Sequence, residues 1–582
     1  MTVLELTPAV GAAAADNGPP PAPSRRWGVA LFVFFAAVYG GVGALLTLRY
    51  GLIDADGISR VANAGYVLMS RDPHLSAIGF VWNPLPSLVE IPLLKFSQWW
   101  PELRTQGLAA VIQSALFMAG GALMVRRIAL DRGVGAGWRS IAVICFALNP
   151  VIIIYGGSGM SEAAEAFTTL WCVRYLLLWL QSRRTGDLAW AGVALGVGYL
   201  ARYEVAVTAC GVGLLVAIVE FLRSRRESRI SSAVLSVVIV LFPFGVAFVV
   251  WALTGWIVND TLFATLTSKY GNGSQIAESI SRSVVLAQAG DQSWTLISAR
   301  LLAMQPFVGI AVILGVVTSM LGRKFDALVP VAVFGPVLAF AAWGQHTSTT
   351  FGWFRFYLLA IPLVACVALT CWNAAGSTKA PPWRLTTAEA KAGAVLLTAS
   401  LLIGFPVTAK SMLNQDIGNQ QLQFGLNSLL DPQNNRPEDQ WYRRMLNNER
   451  LLADYLDSKK LPNGSVLMDT FHGWGIWLAS DDPKQFVVTS DYDFRAALNR
   501  PWDFGIQYIV DSNPAHSAAN AVNLRYPSFW YDGAGIATMV YSGRGDTGDE
   551  RWRVFKVVKP TSKADLAKAA SETAQPPAKP GG

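Results

Sequence analysis

LIDADGISRVANAGYVLMSRDPHLSAIGFVWNPLP, residues Leu52–Pro86, lies between the first two long apolar segments of a 582-residue chain. Apolar Ile58, Val61, Gly65, Leu68 and Met69 recur at helical spacing, and polar Asp56, Ser59, Arg60 and Asn63 take the other face. That pattern predicts an amphipathic helix lying in a membrane interface. Asp56 stands just ahead of it and Asp54 two residues earlier. An Asp at that place caps a helix by accepting hydrogen bonds from its free N–H groups. Capping does not explain why Asp54, Asp56, Arg60, Arg71, Asp72 and His74 all gather between two apolar segments.

Composition says why those segments are spans. The chain is 52% hydrophobic and 15% charged, with mean hydropathy +0.36; soluble domains carry about 25% charged residues. Repeated apolar runs of roughly 20 residues then indicate a polytopic membrane protein. Trp27, Trp99, Trp100, Trp138 and Trp256 sit near span ends, as interfacial belts require. The net charge of +8 does not call for nucleic acid, because the Arg and Lys residues cluster in short loops. Cys145, Cys172, Cys210, Cys366 and Cys371 all fall in or beside apolar runs. The sequence therefore predicts no disulfide framework and no cysteine metal site. The four histidines show no HxxxH or HExxH spacing.

Residues 1–24 are rich in Ala and Pro and read as a disordered cytoplasmic N-terminus. Arg25 and Arg26 precede the first apolar run, which reads as a retained anchor rather than a cleaved signal. A transmembrane domain over 25–411 holds about eleven expected spans: 27–48, 106–125, 138–156, 162–180, 188–202, 204–222, 232–257, 301–322, 327–344, 356–374 and 392–411. The basic loops alternate along the chain, with Arg126 and Arg139, Arg183 and Arg184, Arg223 and Arg229, Arg323 and Lys324, then Lys379 and Lys391. The positive-inside rule makes these loops cytoplasmic. The less basic set is then outside: loop 49–105, GGSGMSEAAE, ARYE, Asn259–Arg300 and QHTSTTFGWFR. All the unusual polar residues fall on that side, which points to one extracytoplasmic cavity. The expected setting is a cell membrane with a cytoplasmic N-terminus.

An odd number of spans sends the rest of the chain outside. Residues 412–447 read as a connector and 448–560 as a small extracytoplasmic α/β domain. In that domain ERLLADYLDSKKLP has helical spacing, while SVLMD, QFVVTS, IQYIV and WRVFKVV are β-rich runs between turn signals. Residues 561–582 read as a disordered tail.

The candidate chemistry follows from residue types. Asp54 and Asp56 suit proton abstraction from a hydroxyl or a divalent cation, and Asp56 is the first choice. Glu162 and Glu165 are one helical turn apart at the start of a span. There they complement the helix dipole, yet a carboxylate at membrane depth needs a partner. Arg202 is that partner or a phosphate clamp, and Glu204 its ion-pair mate. Lys269 in SKYGNGS, which lacks Walker spacing, offers a contact to phosphate or sugar. His346 and Arg355 flank a Thr/Ser-rich outer loop, and Arg355 adds a cation. Arg60, His74, Trp82 and Asn83 of the first loop complete the substrate-binding candidates, Trp82 with Trp353 and Phe354 as faces for sugar stacking.

The arrangement is similar to the GT-C membrane glycosyltransferases. The resemblance rests on the first-loop Asp and interfacial helix, on NPLPSLVEIPLL, GMSEAAE and LARYE, and on a soluble C-terminal domain. SRDPHLSAIGFVWNPLPS also looks like a group of actinobacterial membrane proteins. The resemblance implies a polyprenyl-phosphate-linked sugar as donor, a cell-envelope glycan, lipid or protein as acceptor, and transfer with inversion. It implies that the first-loop Asp, here Asp54 or Asp56, is the base or an acceptor-orienting group; Glu162 joins the candidate catalytic set. Family members often show an adjacent acidic pair; here Ala55 separates the two. Some members use a divalent cation, Mg or Mn, which Asp54 and Asp56 would hold. Arg202, Lys269 and Arg355 are available to stabilise a departing phosphate. The rival readings are a transporter or lipid flippase, with its charges along a permeation path, and a non-catalytic envelope-assembly protein. The spans show no internal repeat of the kind many carriers have.

Overall fold

In lipid a backbone finds no outside hydrogen-bond partner, so apolar spans satisfy themselves as helices. The computed structural model describes residues 25–52, 54–268, 270–271, 274, 293–322, 325–372, 387–515, 519–544 and 550–559. Residues 1–24, the tail from 561 and Lys269 lie outside the described residues.

The membrane domain is built from α1 (Arg25–Tyr50), α2 (Ala55–Met69), α3 (Leu85–Leu94), α4 (Leu108–Asp131), α5 (Ala136–Ala147) and α6 (Pro150–Gly156). It continues through α7 (Glu162–Ser182), α8 (Thr185–Ala201), α9 (Val205–Arg223), α10 (Arg229–Asn259), α11 (Trp294–Met304), α12 (Val308–Gly322), α13 (Leu328–His346), α14 (Ala360–Cys371) and α15 (Thr387–Met412). Among the described residues seven helices are long and apolar enough to cross a membrane, and two bent pairs bring the number to nine. Helices α7 and α8 occupy the two remaining expected positions. The expected spans 138–156 and 301–322 are not single rods: α5 and α6 meet at 64°, α11 and α12 at 79°. Both bends fall at an X-Pro step, Asn149–Pro150 and Gln305–Pro306, where the preceding residue is pushed out of helical geometry. Helix α10 turns Val234, Leu235, Val238, Phe242, Val246 and Val250 outward, a surface suited to lipid. The chain is a multi-pass membrane protein.

The C-terminal part begins with α16 (Gln420–Leu430) and α17 (Trp441–Asp457). Helix α17 runs continuously across the expected boundary at 447/448, so the globular domain starts earlier in the chain. A five-stranded sheet follows, β1 (Val466–Met468), β2 (Phe486–Val488), β3 (Tyr508–Ser512), β4 (Ala537–Arg544) and β5 (Glu550–Val557), in the order β2-β1-β3-β5-β4. The first three strands are parallel, and β5 pairs antiparallel with both β3 and β4. The four β-rich runs named from sequence are β1, β2, β3 and β5. Strand β4, ATMVYSGR, was not among them.

Helix α2 is where the two parts join. Asp54, in extended conformation, is its N-cap and accepts from the Asp56 amide at 3.1 Å. The cap is thus Asp54 rather than Asp56, which sits in the first turn. The expected placement of α2 flat in the membrane interface does not hold either. Its apolar face packs on protein: Ile58, Val61, Ala62 and Tyr66 share one core with Met445, Leu452, Val466 and Trp477 of the C-terminal domain. Tyr66 meets Trp477 edge-on at 4.7 Å. A Cβ on Gly65 would lie 2.6 Å from the Trp477 ring, so only glycine allows this approach. Just beyond α2, Arg71 pairs with Asp491 at 3.3 Å and with Asp493, and the His74 ring stacks on Tyr492 at 4.2 Å. The first loop is therefore held between membrane bundle and soluble domain, which fixes Asp54 and Asp56 in space.

Candidate functional site

Four chain breaks deliver charge to one place. The N-terminus of α2 supplies Asp54, its cap, and Asp56, in its first turn. The turn GGSGMSE and the first turn of α7 after it supply Ser161, Glu162 and Glu165; within the turn Gly159 has φ +78°, and a Cβ there would meet Ala110 at 2.6 Å, so the turn requires glycine. Between α8 and α9 the chain is extended at Arg202 and presents Arg202 and Glu204. A 3-10 turn, Phe354–Tyr357, leads into α14 and presents Arg355.

The pieces interlock through two guanidinium groups. Arg355 reaches Asp54 Oδ2 at 3.4 Å, Asp56 Oδ2 at 3.0 Å and Glu162 Oε1 at 3.0 Å. Arg202 reaches Glu162 Oε1 at 2.8 Å, Glu165 Oε2 at 3.2 Å and Glu204 Oε1 at 2.6 Å. Glu162 thus bridges both arginines. Their guanidinium groups also lie over the Phe356 ring, at 5.3 Å for Arg202 and 5.6 Å for Arg355. Every nitrogen of these two arginines lies within ion-pair distance of a carboxylate, though Nε of each makes no hydrogen bond; little of either is left for a phosphate.

Arg60 differs. Its side chain is buried and touches only neutral groups: Ser161 Oγ at 3.4 Å, the Asp56 carbonyl at 3.4 Å and the Met160 sulfur at 3.8 Å. Its guanidinium lies over the Trp82 ring at 4.8 Å. Among the described residues no carboxylate is within ion-pair distance of it, and its Nε has no hydrogen-bond partner. Three acids act on it from beyond ion-pair distance, Asp56 and Glu162 first and then Glu90; Glu90, on α3, is fully buried with both carboxylate oxygens unpartnered. Burial pushes Glu90 up to about 8, against the pull of Arg60, so at neutral pH this acid is protonated and the attraction on Arg60 comes from Asp56 and Glu162, neither in ion-pair contact with it. Burial also pushes Asp54 up to about 6, with Arg355 opposing.

Arg60, Arg202, Arg355, Asp54, Asp56, Glu204, Trp82, Asn83 and Ser161 line one cavity with about 880 Å³ of unfilled space, part of it open to solvent. Exposure separates the acids. The Asp56 side chain is 35% exposed, Asp54 14% and Glu162 2%. A second groove of about 350 Å³ adjoins it, lined by Phe80, Tyr199, Trp251, Ala252, Phe263 and Leu266. The two share Asn83, Tyr203 and Thr265.

Of the sequence-named residues, Asp54, Asp56, Arg60, Trp82, Asn83, Arg202, Glu204 and Arg355 line the cavity, and Glu162 lies beneath it. His74 is instead in the contact with the soluble domain. His346 stacks on Trp294 at 4.6 Å at the end of α13 and does not line the cavity. Lys269 lies outside the described residues. Glu90, Tyr203, Phe351, Phe356 and Tyr442 were missed. Among the described residues no three His, Cys, Asp or Glu side chains group closely enough to hold a metal ion by themselves. Two carboxylates with substrate phosphate oxygens suffice for Mg²⁺, and Asp54 and Asp56 are the two that fit that mode.

No protein-family model and no curated protein matches the sequence. Among solved structures, the chain is similar to ArnT of Cupriavidus metallidurans in the apo state, at 14% identity and TM-score 0.48, over 92% of this chain and 98% of that one. It is similar to an Archaeoglobus fulgidus oligosaccharyltransferase tethered to an acceptor peptide, at 12% identity and TM-score 0.45, over 92% and 74% of the two chains. A third similarity is to the oligosaccharyltransferase AglB of Archaeoglobus fulgidus with an inhibitory peptide and a dolichol-phosphate, at 12% identity and TM-score 0.42, over 93% and 74%.

The network makes one direct prediction about stability. Replacing Arg355 by Met leaves three acids facing each other in a site of low exposure. Breaking such a buried pairing costs about 3–5 kcal/mol. Thermal unfolding in detergent is expected to show that loss for Arg355→Met, with partial recovery when Asp54→Asn is added. Unchanged stability in the single variant contradicts the network.

Proposed function

We propose that this chain is a membrane glycosyltransferase. It moves a sugar from a polyprenyl-phosphate donor to an acceptor hydroxyl outside the cytoplasm. The observation that carries the reading is the pairing of Arg60 with the adjoining groove. A desolvated guanidinium with no carboxylate in ion-pair contact is a strong site for a phosphate. The aromatic and aliphatic groove that opens beside it suits a prenyl chain arriving from the bilayer. A soluble anion would have no use for that groove.

In this reading the donor phosphate lies against Arg60 and its sugar extends into the larger cavity. Asp56 is the base, because it is the most exposed of the acids in the network. Its carboxylate takes the proton of the acceptor hydroxyl. That oxygen bonds to the anomeric carbon while the bond from the carbon to the phosphate oxygen breaks. The electron pair leaves with the polyprenyl phosphate, and the configuration inverts. Arg60 answers the charge that develops on the leaving group. Asp54 and Glu162 act through Arg355 and Arg202, holding the guanidinium groups that shape the cavity floor.

A divalent cation is part of the proposal. Asp54, Asp56, Glu162, Glu165 and Glu204 outnumber Arg60, Arg202 and Arg355 by two charges when all are ionised. A donor phosphate adds to that excess. Mg²⁺ or Mn²⁺ held by Asp54 and Asp56 would supply the balancing charge. In this reading the cavity opens outside the cell membrane and the N-terminus lies in the cytoplasm, which the alternation of basic loops supports.

The reading is tested with purified protein in lipid, a panel of radiolabelled polyprenyl-phosphate sugars and cell-envelope acceptors, with and without EDTA. Label is expected to reach the acceptor with the parent protein, and Asp56→Asn is expected to lower transfer by about 100-fold or more while staying folded. Transfer that survives both Asp56→Asn and Asp54→Asn contradicts the base; no transfer from any donor contradicts the function. Loss of transfer in EDTA, restored by Mg²⁺ or Mn²⁺, is the outcome expected for the cation.

The acid–base state of Glu90 gives a second prediction. As pH rises through about 8, Glu90 ionises and neutralises Arg60, so the KM for donor is expected to rise between pH 7 and pH 9. Glu90→Gln cannot ionise and is expected to keep the donor KM flat across that interval. A rise that persists in Glu90→Gln contradicts the coupling.

A further inference from the structure

The cavity is not completed by the membrane domain. Tyr442, on the first turn of α17, lines it together with Asp54, Asp56, Phe351 and Trp353. Its ring also packs against the core shared by α2 and the soluble domain, and Trp441 meets it edge-on at 4.7 Å. Gln440, immediately before it, donates from Nε2 to the Phe424 carbonyl at 2.8 Å. Tyr442 is therefore held by the soluble domain while it faces the reacting carboxylates. The charged groups around its phenol are Asp54, Asp56, Arg355 and Arg551. Among the described residues its phenol oxygen has no hydrogen-bond partner.

The cavity has two dissimilar ends. Asn83, Tyr203 and Thr265 are shared with the apolar groove, which on the transferase reading is the side where lipid arrives. Tyr442, Phe351 and Trp353 line the larger cavity and not the groove. Phe351 and Trp353 lie 5.8 Å apart at 32°, and Arg355 sits over the Trp353 ring at 5.3 Å. Displacement with inversion brings the attacking hydroxyl from the side away from the phosphate. On that reading Phe351, Trp353 and Tyr442, which line the cavity but not the groove, offer that side aromatic faces and a phenol beside Asp56. A hydroxyl-bearing sugar ring matches this chemistry, because its C–H face stacks on an aromatic ring and its hydroxyls need polar partners. Tyrosine offers both an apolar body and a polar tip.

We propose that Tyr442, with Phe351 and Trp353, forms the acceptor subsite, and that this subsite takes a saccharide acceptor. The inference rests on the transferase reading above. It assigns the soluble domain a part in acceptor choice: Tyr442 is an acceptor-binding residue delivered by α17 to a cavity otherwise made by the membrane helices and their outer loops.

The test uses the full-length protein in lipid with a radiolabelled polyprenyl-phosphate sugar and a cell-envelope glycan fraction as the acceptor probe. Half-saturation is measured separately for donor and acceptor in the parent, Tyr442→Phe and Tyr442→Ala. The expected result for Tyr442→Ala is a rise of about tenfold in acceptor half-saturation, with less than a twofold change for donor. Tyr442→Phe keeps the ring and is expected to fall between the parent and Tyr442→Ala. Unchanged acceptor half-saturation in Tyr442→Ala overturns the inference, as does an equal rise for donor and acceptor, which marks a structural role. Transfer to a peptide or lipid fraction but not to glycan overturns the saccharide assignment. These outcomes leave the parent's transfer intact and so are distinct from failure of the transferase reading, which the parent alone reports; a parent without transfer overturns both.

Discussion

The site depends on one guanidinium. Arg355 ties the N-terminus of α2, through Asp54 and Asp56, to the start of α7, through Glu162. Glu162 then passes the connection to Arg202, and Arg202 to Glu165 and Glu204. Segments some 300 residues apart in the chain meet in this way at one end of the helical bundle. The charges are expensive to desolvate, and each is tolerable only because the others are there. An array of this kind does not add much stability. It fixes geometry, and here it fixes the position of Asp56 against the cavity.

Against that saturated network Arg60 stands out. Its immediate partners are neutral, no carboxylate is in ion-pair contact with it among the described residues, and it lines the cavity that the apolar groove adjoins. For this reason Arg60 takes, in the proposed reading, a phosphate role that the sequence suggested for Arg202, Lys269 and Arg355. The same comparison orders the acids. Glu162 is the most deeply buried and serves the arginines, while Asp56 keeps enough exposure to meet a substrate.

Much of this was legible in the sequence because polar residues are conspicuous in apolar surroundings. Asp54, Asp56, Glu162, Arg202 and Arg355 each interrupt or border an apolar run, and the alternation of basic loops put them all on one side. The helix breaks at Pro150 and Pro306 were equally present in the sequence, but apolarity alone does not distinguish a bent span from a straight one. Glu90 was hidden in LVEIPLL, where a single acid in an apolar run gives no sign of what it faces. Tyr442 was unreadable for another reason: it reaches the cavity by a contact between α17 and a loop nearly 400 residues earlier, and no local period encodes that. His74 and His346 attracted notice as rare residues in outer loops, yet stacking on Tyr492 and Trp294 accounts for both. Helix α2 was read correctly as amphipathic, but the pattern could not say whether its apolar face would meet lipid or the soluble domain. Strand β4 escaped because ATMVYSGR ends in Ser-Gly and lacks the continuous apolar run of its neighbours.

The central claim is that Arg60 and the adjoining groove form one lipid-phosphate site. A structure of the protein bound to a polyprenyl phosphate in a lipid nanodisc tests it most directly. The account predicts phosphate density against the Arg60 guanidinium, and prenyl density running between Phe80, Trp251 and Phe263. Phosphate bound elsewhere, or a prenyl chain that avoids this groove, would contradict it.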